Sequence, residues 1–269
     1  MGTSTWPPPF DHWLKPEDVP LPRVCICKGI GFYRVRAPLG HPLFGKGIPC
    51  ICKTNELARK QGDELRRWSG LSTGQLLDFT FEAFDPGLCV VPPDSEDSRS
   101  GVVSEMRKIK SVCSGYALNP KGWLVLIGRV GSGKSHLACA IVNSMIERSQ
   151  SAHIGTVAAM LDGLRAAMSI GAFEGWWRRL KQVRLLVLDD LGAERETDWA
   201  TEKIFELVDQ RYVNRQPLVV TTNLGLSDER FNPRLASRLQ EGAKVEQGWV
   251  RVLALPAGDI RPVRVWKGA

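Results

Sequence analysis

No stretch of the sequence approaches the ~18 consecutive apolar residues that a membrane-spanning helix requires, so no membrane partner is expected. The opening residues, Met1 to Phe10, are rich in proline and lack the basic and then apolar run of a secretory leader. A cytoplasmic location is the resulting expectation. Neither hydrophobicity nor charge is extreme: 43% of the 269 residues are hydrophobic and 24% charged, as in ordinary soluble proteins. The seven cysteines should then be reduced or metal-bound, since a reducing compartment does not keep disulfides. What is in excess is positive charge. A net charge of +7 favours a polyanionic partner.

The centre of the chain is Trp123 to Ser135. Five apolar residues, Trp123 to Ile127, read as a strand buried on both faces. From Gly128 the sequence follows the phosphate-loop pattern, with Gly128, Gly133, Lys134 and Ser135 in the required places. The loop residues Gly128, Arg129, Val130, Gly131, Ser132, Gly133, Lys134, Ser135 and His136 are the candidate ATP-binding set. Glycines let successive backbone N–H groups aim at phosphate oxygens, and a helix starting near Lys134 adds its positive end. Lys134 would reach the β and γ phosphates, and Ser135 would hold Mg²⁺. Leu137, Ala138, Ile141 and Met145 supply the apolar face of that helix.

The run Leu185 to Asp190 reads as a second buried strand ending in paired carboxylates, the first of them 55 residues beyond Lys134. Asp189 is the candidate Mg²⁺ ligand and Asp190 the group that polarises the attacking water. Adjacent strand residues point to opposite faces, so the two acids could serve different parts of one site. Pro217 to Thr222 reads as a third strand, and Asn223 at its end could orient water together with Asp190. Arg234 and Arg238 follow at helical spacing, and one of them could reach a neighbouring subunit's nucleotide. Strand and helix patterns alternate around these runs (His153 to Val157, Ala158 to Met168, Trp199 to Tyr212), which predicts α/β architecture with a parallel sheet.

Ahead of this core, residues 1–22 read as a flexible proline-rich arm. Cys25-Ile-Cys27 and, after 22 intervening residues, Cys50-Ile-Cys52 suggest a thiolate zinc site stapling a small module over 23–70. The C-x-C spacing leaves open another ligand, His41 among them. Residues 54–70 carry a short helical pattern, and 71–102, ending in a Pro-, Ser- and Gly-rich run, read as a linker, within which the aromatic cluster Phe79, Phe81 and Phe84 is expected to pack as core rather than line a ligand pocket. The ATPase domain is placed at 103–269, with a helix over Val103 to Tyr116. Gly175 to Lys181 mixes two tryptophans with three cations. That pattern suits either a buried helix face or a single-stranded nucleic-acid site.

Together, Gly-Ser-Gly-Lys-Ser-His-Leu-Ala at 131–138, Leu-Val-Leu-Asp-Asp-Leu-Gly at 186–192, Thr-Thr-Asn at 221–223, Arg-Leu-Ala-Ser-Arg-Leu at 234–239 and Gly-Asp-Ile-Arg at 258–261 resemble the AAA+ ATPases. The resemblance is narrowest to the helicase-loader and transposition-helper group that includes DnaC, DnaI and IstB, and it covers roughly residues 70–269. It implies an AAA+ sheet without a full helical lid, because only 30 residues follow Leu239. It also implies that Asn223 occupies the sensor-1 position, Arg238 that of an arginine finger, and Arg261 that of a sensor-2 arginine. The cysteine-bearing segment is similar to the zinc module of loaders. By resemblance the chain is an ATP-switched, slowly hydrolysing loader that binds single-stranded DNA and a DnaB-like replicative helicase, and self-associates through shared ATP sites. The alternatives are a transposition-helper ATPase acting on target DNA and a transposase, and a nucleotide-binding adaptor that does not hydrolyse.

Overall fold

A computed structural model describes residues 24–35, 37, 39–71, 74–193, 197–228, 232–241 and 249–259. The arm at 1–22 and Arg261 lie outside the described residues. The chain forms two compact units that meet between Glu64 and Leu65.

In the first unit, β1 (Phe32–Tyr33) and β2 (Ile48–Pro49) pair antiparallel. Val35, Leu43 and Ile48 form a small core beside Tyr33. So few apolar side chains cannot by themselves offset the entropy of ordering such a segment, which is where a covalent or metal staple is needed. Helix α1 spans Ile51–Trp68, beginning earlier than the pattern at 54 predicts. The Cys50 carbonyl accepts from the N–H groups of Lys53 and Thr54 and so starts the helix at the last cysteine pair.

In the second unit, α2 (Arg99–Leu118), β3 (Trp123–Gly128), α3 (Lys134–Glu147), β4 (Ala152–Thr156), α4 (Val157–Ser169), α5 (Phe173–Gln182), β5 (Leu185–Asp189), α6 (Asp198–Val213), β6 (Leu218–Thr222), α7 (Pro233–Glu241) and β7 (Val250–Leu255) follow in order. The five strands form one sheet in the order β4-β5-β6-β3-β7, every pair parallel. Alternation along the strands divides the core in two. Leu124, Leu126, Val187 and Val219 face the layer of α2 and α3. Trp123, Val125, Leu186, Leu188, Leu218 and Val220 face that of α4 to α7. Strands buried on both faces carry continuous apolar runs for this reason, and the predicted α/β fold, a parallel sheet flanked by helices, is the fold observed. Among the described residues no helix follows β7.

Residues 71–102, read from composition as a linker, contribute Leu71, Phe81, Phe84 and Cys89 to the first core layer. The core packing expected of the aromatic cluster is observed at Phe81 and Phe84, while the linker expectation for the segment as a whole is corrected, since proline, serine and glycine report backbone conformation rather than burial. Asn143 on α3 holds the segment by donating to the carbonyls of Leu76 (3.2 Å), Leu77 (3.4 Å) and Phe79 (3.1 Å). The outer edge of β4 is closed by Ser69, whose carbonyl accepts from Ile154 N–H at 2.8 Å. The next residue, Gly70, has φ of +81°, and a Cβ there would sit 1.8 Å from the Ile154 carbonyl oxygen, so only glycine permits this closure.

Candidate functional site

Strands β3, β5 and β6 are neighbours in the parallel sheet, so their carboxyl ends converge where ligands of such sheets bind. The phosphate loop leaves β3 and enters α3 through Gly133, whose φ of 97° is left-handed, and no side chain caps the helix start. An uncapped helix start at the end of a glycine-rich loop is suited to an anion. Lys134, nearly buried, donates from Nζ to the carbonyls of Gly128 (2.9 Å) and Arg129 (2.8 Å) and to Asn223 Oδ1 (2.6 Å). The loop cation is thus centred over its own cradle.

Asp189 closes β5. Its Oδ1 accepts from Ser135 Oγ at 2.9 Å and from Thr221 Oγ1 at 2.6 Å. Burial pushes its carboxyl above the usual range, while the Thr221 and Ser135 hydrogen bonds oppose that shift. A hydroxyl bonded to a carboxylate in this way is the oxygen-rich donor set that Mg²⁺ takes. Ser135 and Asp189 therefore fit the ion.

Asp190 lies beyond the strand end, with φ of 56°. Its direction is set by a turn and not by the alternation expected of adjacent strand residues. A left-handed residue, tolerated by Asp better than by most, turns it, and Thr221 fixes the turn by accepting the Asp190 N–H at 2.9 Å on Oγ1. Asp190 Oδ1 then accepts from Asn223 Nδ2 at 2.8 Å. Lys134, Asn223 and Asp190 make one hydrogen-bonded string, and Ser135, Asp189 and Thr221 a second one beside it.

Thr221 figures in the sequence only within the Thr-Thr-Asn run at 221–223 and has no role assigned there. It is wholly buried and touches both acids. A threonine inside an apolar strand looks like an ordinary β-former, and the one available signal was that a buried hydroxyl needs partners.

Other predicted members separate from the pair of strings. Val130 is exposed and Ser132 buried. Arg129 pairs with Asp94. The His136 side chain is turned into the core: its Nε2–H donates to Thr80 O at 2.9 Å, and its ring stacks on Phe79 and meets the edge of Phe84. Only its backbone belongs to the helix start. Arg238 lies on α7, where Nε and Nη2 reach Asp209 Oδ1 at 3.0 and 2.8 Å and the guanidinium covers the Tyr212 ring at 4.4 Å. Arg234 lies 6.0 Å from the Phe205 ring centre.

The Gly175 to Lys181 segment forms part of α5, with Trp177 and Leu180 buried. Trp176 packs on Trp68 and His153. Lys181 pairs with Glu206 and lies over Trp177. These rings fill the core, the first of the two readings that the pattern allowed.

In the first unit, the Sγ atoms of Cys25, Cys27, Cys50 and Cys52 all lie within 4.8 Å of one another. The Cys25–Cys27, Cys27–Cys52 and Cys25–Cys50 sulfurs are 3.5, 3.3 and 4.0 Å apart. A tetrahedron of thiolates about 2.3 Å from zinc has edges of about 3.8 Å, so the four sulfurs fit that ion. The hydrogen bond with Cys52 holds the Cys27 thiol below its ordinary range. His41 does not join the four: its Nδ1 accepts from Leu43 N–H at 3.1 Å.

Similarity to known proteins agrees with this geometry. DnaC of Escherichia coli strain K12, a replicative helicase loader, is 30% identical over 122 residues, covering 44% of this chain and 50% of that protein. YdaV of the same strain is 34% identical over 125 residues, covering 46% of this chain and 50% of that protein. The chain thus spans about half the length of these curated relatives. The crystal structure of the DnaC helicase loader superposes with a TM-score of 0.52 at 20% identity, over 68% of this chain and 99% of that one, a likeness of fold. The model of the IstB-like ATP binding proteins matches residues 97–232, about half of the sequence and the whole run from the phosphate loop to Asn223, and the chain belongs to that family.

Proposed function

We propose that this chain is an ATP- and Mg²⁺-dependent switch that loads a hexameric DnaB-like replicative helicase onto single-stranded DNA. The observation that carries the nucleotide half is the string Lys134–Asn223–Asp190 beside Ser135–Asp189. Lys134 and the loop N–H groups hold the β and γ phosphates, and Asn223 keeps Asp190 aimed at the attacking water. Ser135 and Asp189 hold Mg²⁺, which supplies charge neutralisation at the phosphate oxygens when bound. Asp190 is shorter than glutamate, which suits slow turnover. Arg238 completes the γ-phosphate site of a neighbouring copy, and Arg261 contacts nucleotide within its own subunit. ATP thereby favours self-association and hydrolysis releases it.

The loader half is supported by the four-cysteine module ahead of the ATPase and by the relative named as a helicase loader. Zinc, when bound there, staples the module. The family description favours a second reading, a transposition helper acting on target DNA. Affinity capture with the full chain separates the two: recovery of a replicative helicase supports the loader, and recovery of a transposase in its place overturns it. Steady-state phosphate release that disappears in Asp190→Asn excludes a non-hydrolysing adaptor.

A further inference from the structure

The first unit carries a surface that neither its core nor its cysteine cluster uses. Ile30, Phe32 and Phe44 are exposed at 77%, 46% and 53%, while its packing is met by Val35, Leu43 and Ile48. Alternation from β1 onward turns Tyr33 and Val35 inward and leaves Phe32 and Arg34 in solvent. The turn before β2 presents Phe44 and Lys46, both exposed, and is closed by Phe44 N–H to His41 O and Lys46 N–H to Leu43 O. This turn adjoins β1, since a Cβ built on Gly47 would lie 3.9 Å from the Phe32 ring.

The stretch of sequence that carries these rings has charge of one sign. Between Val19 and Asn55 the sequence has no Asp or Glu, and it has six cations: Arg23, Lys28, Arg34, Arg36, Lys46 and Lys53. Lys53 is paired with Glu56, whereas Lys28, Arg34 and Lys46 are exposed within a few residues of the rings in sequence. A dry protein-docking face would join its apolar groups into one patch and deplete charge at its centre. Here single rings alternate with cations and glycines. That arrangement matches a polyanion whose flat groups stack on aromatic side chains, because every base offers a π-face and every phosphate a charge.

We infer that the cysteine module is a single-stranded DNA-binding surface, with Phe32 and Phe44 stacking on unpaired bases while Lys28, Arg34 and Lys46 neutralise the backbone. The choice of DNA as the polyanion rests on the proposed replication role; the stacking surface itself does not. It also relocates the aromatic and cationic contact from α5, where the rings are buried, to the first unit.

The test uses the full chain and a fluorescein-labelled oligo-dT strand, read by anisotropy at a series of matched salt concentrations. Phe32→Ala with Phe44→Ala should weaken binding about ten-fold or more, and Phe32→Tyr with Phe44→Tyr should bind like the parent. Lys28→Glu with Lys46→Glu should weaken binding and flatten its salt dependence. Basal ATP hydrolysis should be unchanged in all three. Zinc content checks folding; if the alanine pair loses zinc, the charge-reversed pair decides. Parent-like DNA binding by the alanine pair with its zinc retained would overturn the inference. So would loss of helicase capture by that pair with DNA binding intact, which would make the face a protein-docking surface. A parent chain that binds oligo-dT through these residues yet hydrolyses no ATP would leave this inference standing and sink the proposed switch.

Discussion

Asn223 Oδ1 accepts from Lys134 Nζ at 2.6 Å while Asn223 Nδ2 donates to Asp190 Oδ1 at 2.8 Å. One amide thus reports the state of the phosphate-binding cation to the acid proposed to orient water. The two ends of this bridge should separate kinetically. Lys134→Ala removes charge-assisted hydrogen bonds worth ~1.5–3 kcal/mol each, so nucleotide affinity should fall about 100-fold. Asn223→Ala should keep affinity within about three-fold and slow hydrolysis about 100-fold. Titration with a fluorescent ATP analogue and phosphate release measure the two effects. Equal losses of affinity in both variants would show that Asn223 serves binding alone.

Thr221 ties Asp189 to Asp190 through one buried hydroxyl. Thr221→Val keeps the shape and strips both hydrogen bonds, leaving the Asp190 N–H without its acceptor. The expected cost is ~1–3 kcal/mol of stability, read by urea denaturation, and Thr221→Ser should recover most of it. Hydrolysis should fall even where the protein remains folded, since the left-handed turn at Asp190 loses its anchor.

His153 is buried on β4, and its Nδ1–H donates to the Trp68 carbonyl at 2.6 Å. Burial holds its pKa below the ordinary value of 6.5. The unfolded chain therefore takes up this proton at higher pH than the folded one. Its contribution to stability is complete above pH 6.5 and is lost as pH falls through 6.5 towards the lowered folded value. The loss is limited to ~1.4 kcal/mol per pH unit for one group. Urea midpoints at pH 8 and at mildly acidic pH should differ less in His153→Phe than in the parent, and equal differences would remove His153 as the source.

The parallel sheet was legible because its strands are apolar runs buried on both faces, and the phosphate loop because its chemistry dictates glycines at fixed spacing. Asp189 and Asn223 were legible as polar residues ending such runs. Thr221 was not, since nothing local tells a hydroxyl bonded to the Asp189 carboxylate and the Asp190 N–H from one facing solvent. The burial of Phe81 and Phe84 was legible from their aromatic clustering, but their seat beneath α2 and α3 was not, and neither was the pairing of Arg238 with Asp209 across 29 positions: both depend on which elements meet in space. The turn at Asp190 arises from a backbone choice, φ of 56°, that the residue name permits without requiring.

The four cysteines make a prediction about mass and stability. Purified protein should carry one zinc per chain, measured by release to a chromogenic chelator. Removing the metal should unfold the first unit, whose own core is Val35, Leu43 and Ile48, since structural zinc supplies folding free energy outright. Nucleotide binding by the second unit, with two large core layers of its own, should persist. Metal-free protein with an unchanged proteolysis pattern over residues 24–64 would refute the zinc assignment.

Arg238 is held by Asp209 and the Tyr212 ring within its own chain, with both charged side chains about one-third exposed, at 31% and 33%. A pair this exposed contributes at most ~1 kcal/mol, so a phosphoryl group on a neighbouring copy can compete for the guanidinium. Arg238→Ala should leave nucleotide affinity within about two-fold and reduce assembly-dependent hydrolysis about 10³-fold. Loss of hydrolysis alone would not distinguish a contribution in trans from damage within the subunit. Mixing does: Lys134→Ala protein cannot hold nucleotide but still offers Arg238, whereas Arg238→Ala protein holds nucleotide and lacks the finger. Two inactive preparations should therefore regain hydrolysis when combined, by forming composite sites at their shared interfaces. A mixture as inactive as its parts would place Arg238 outside the neighbour's site.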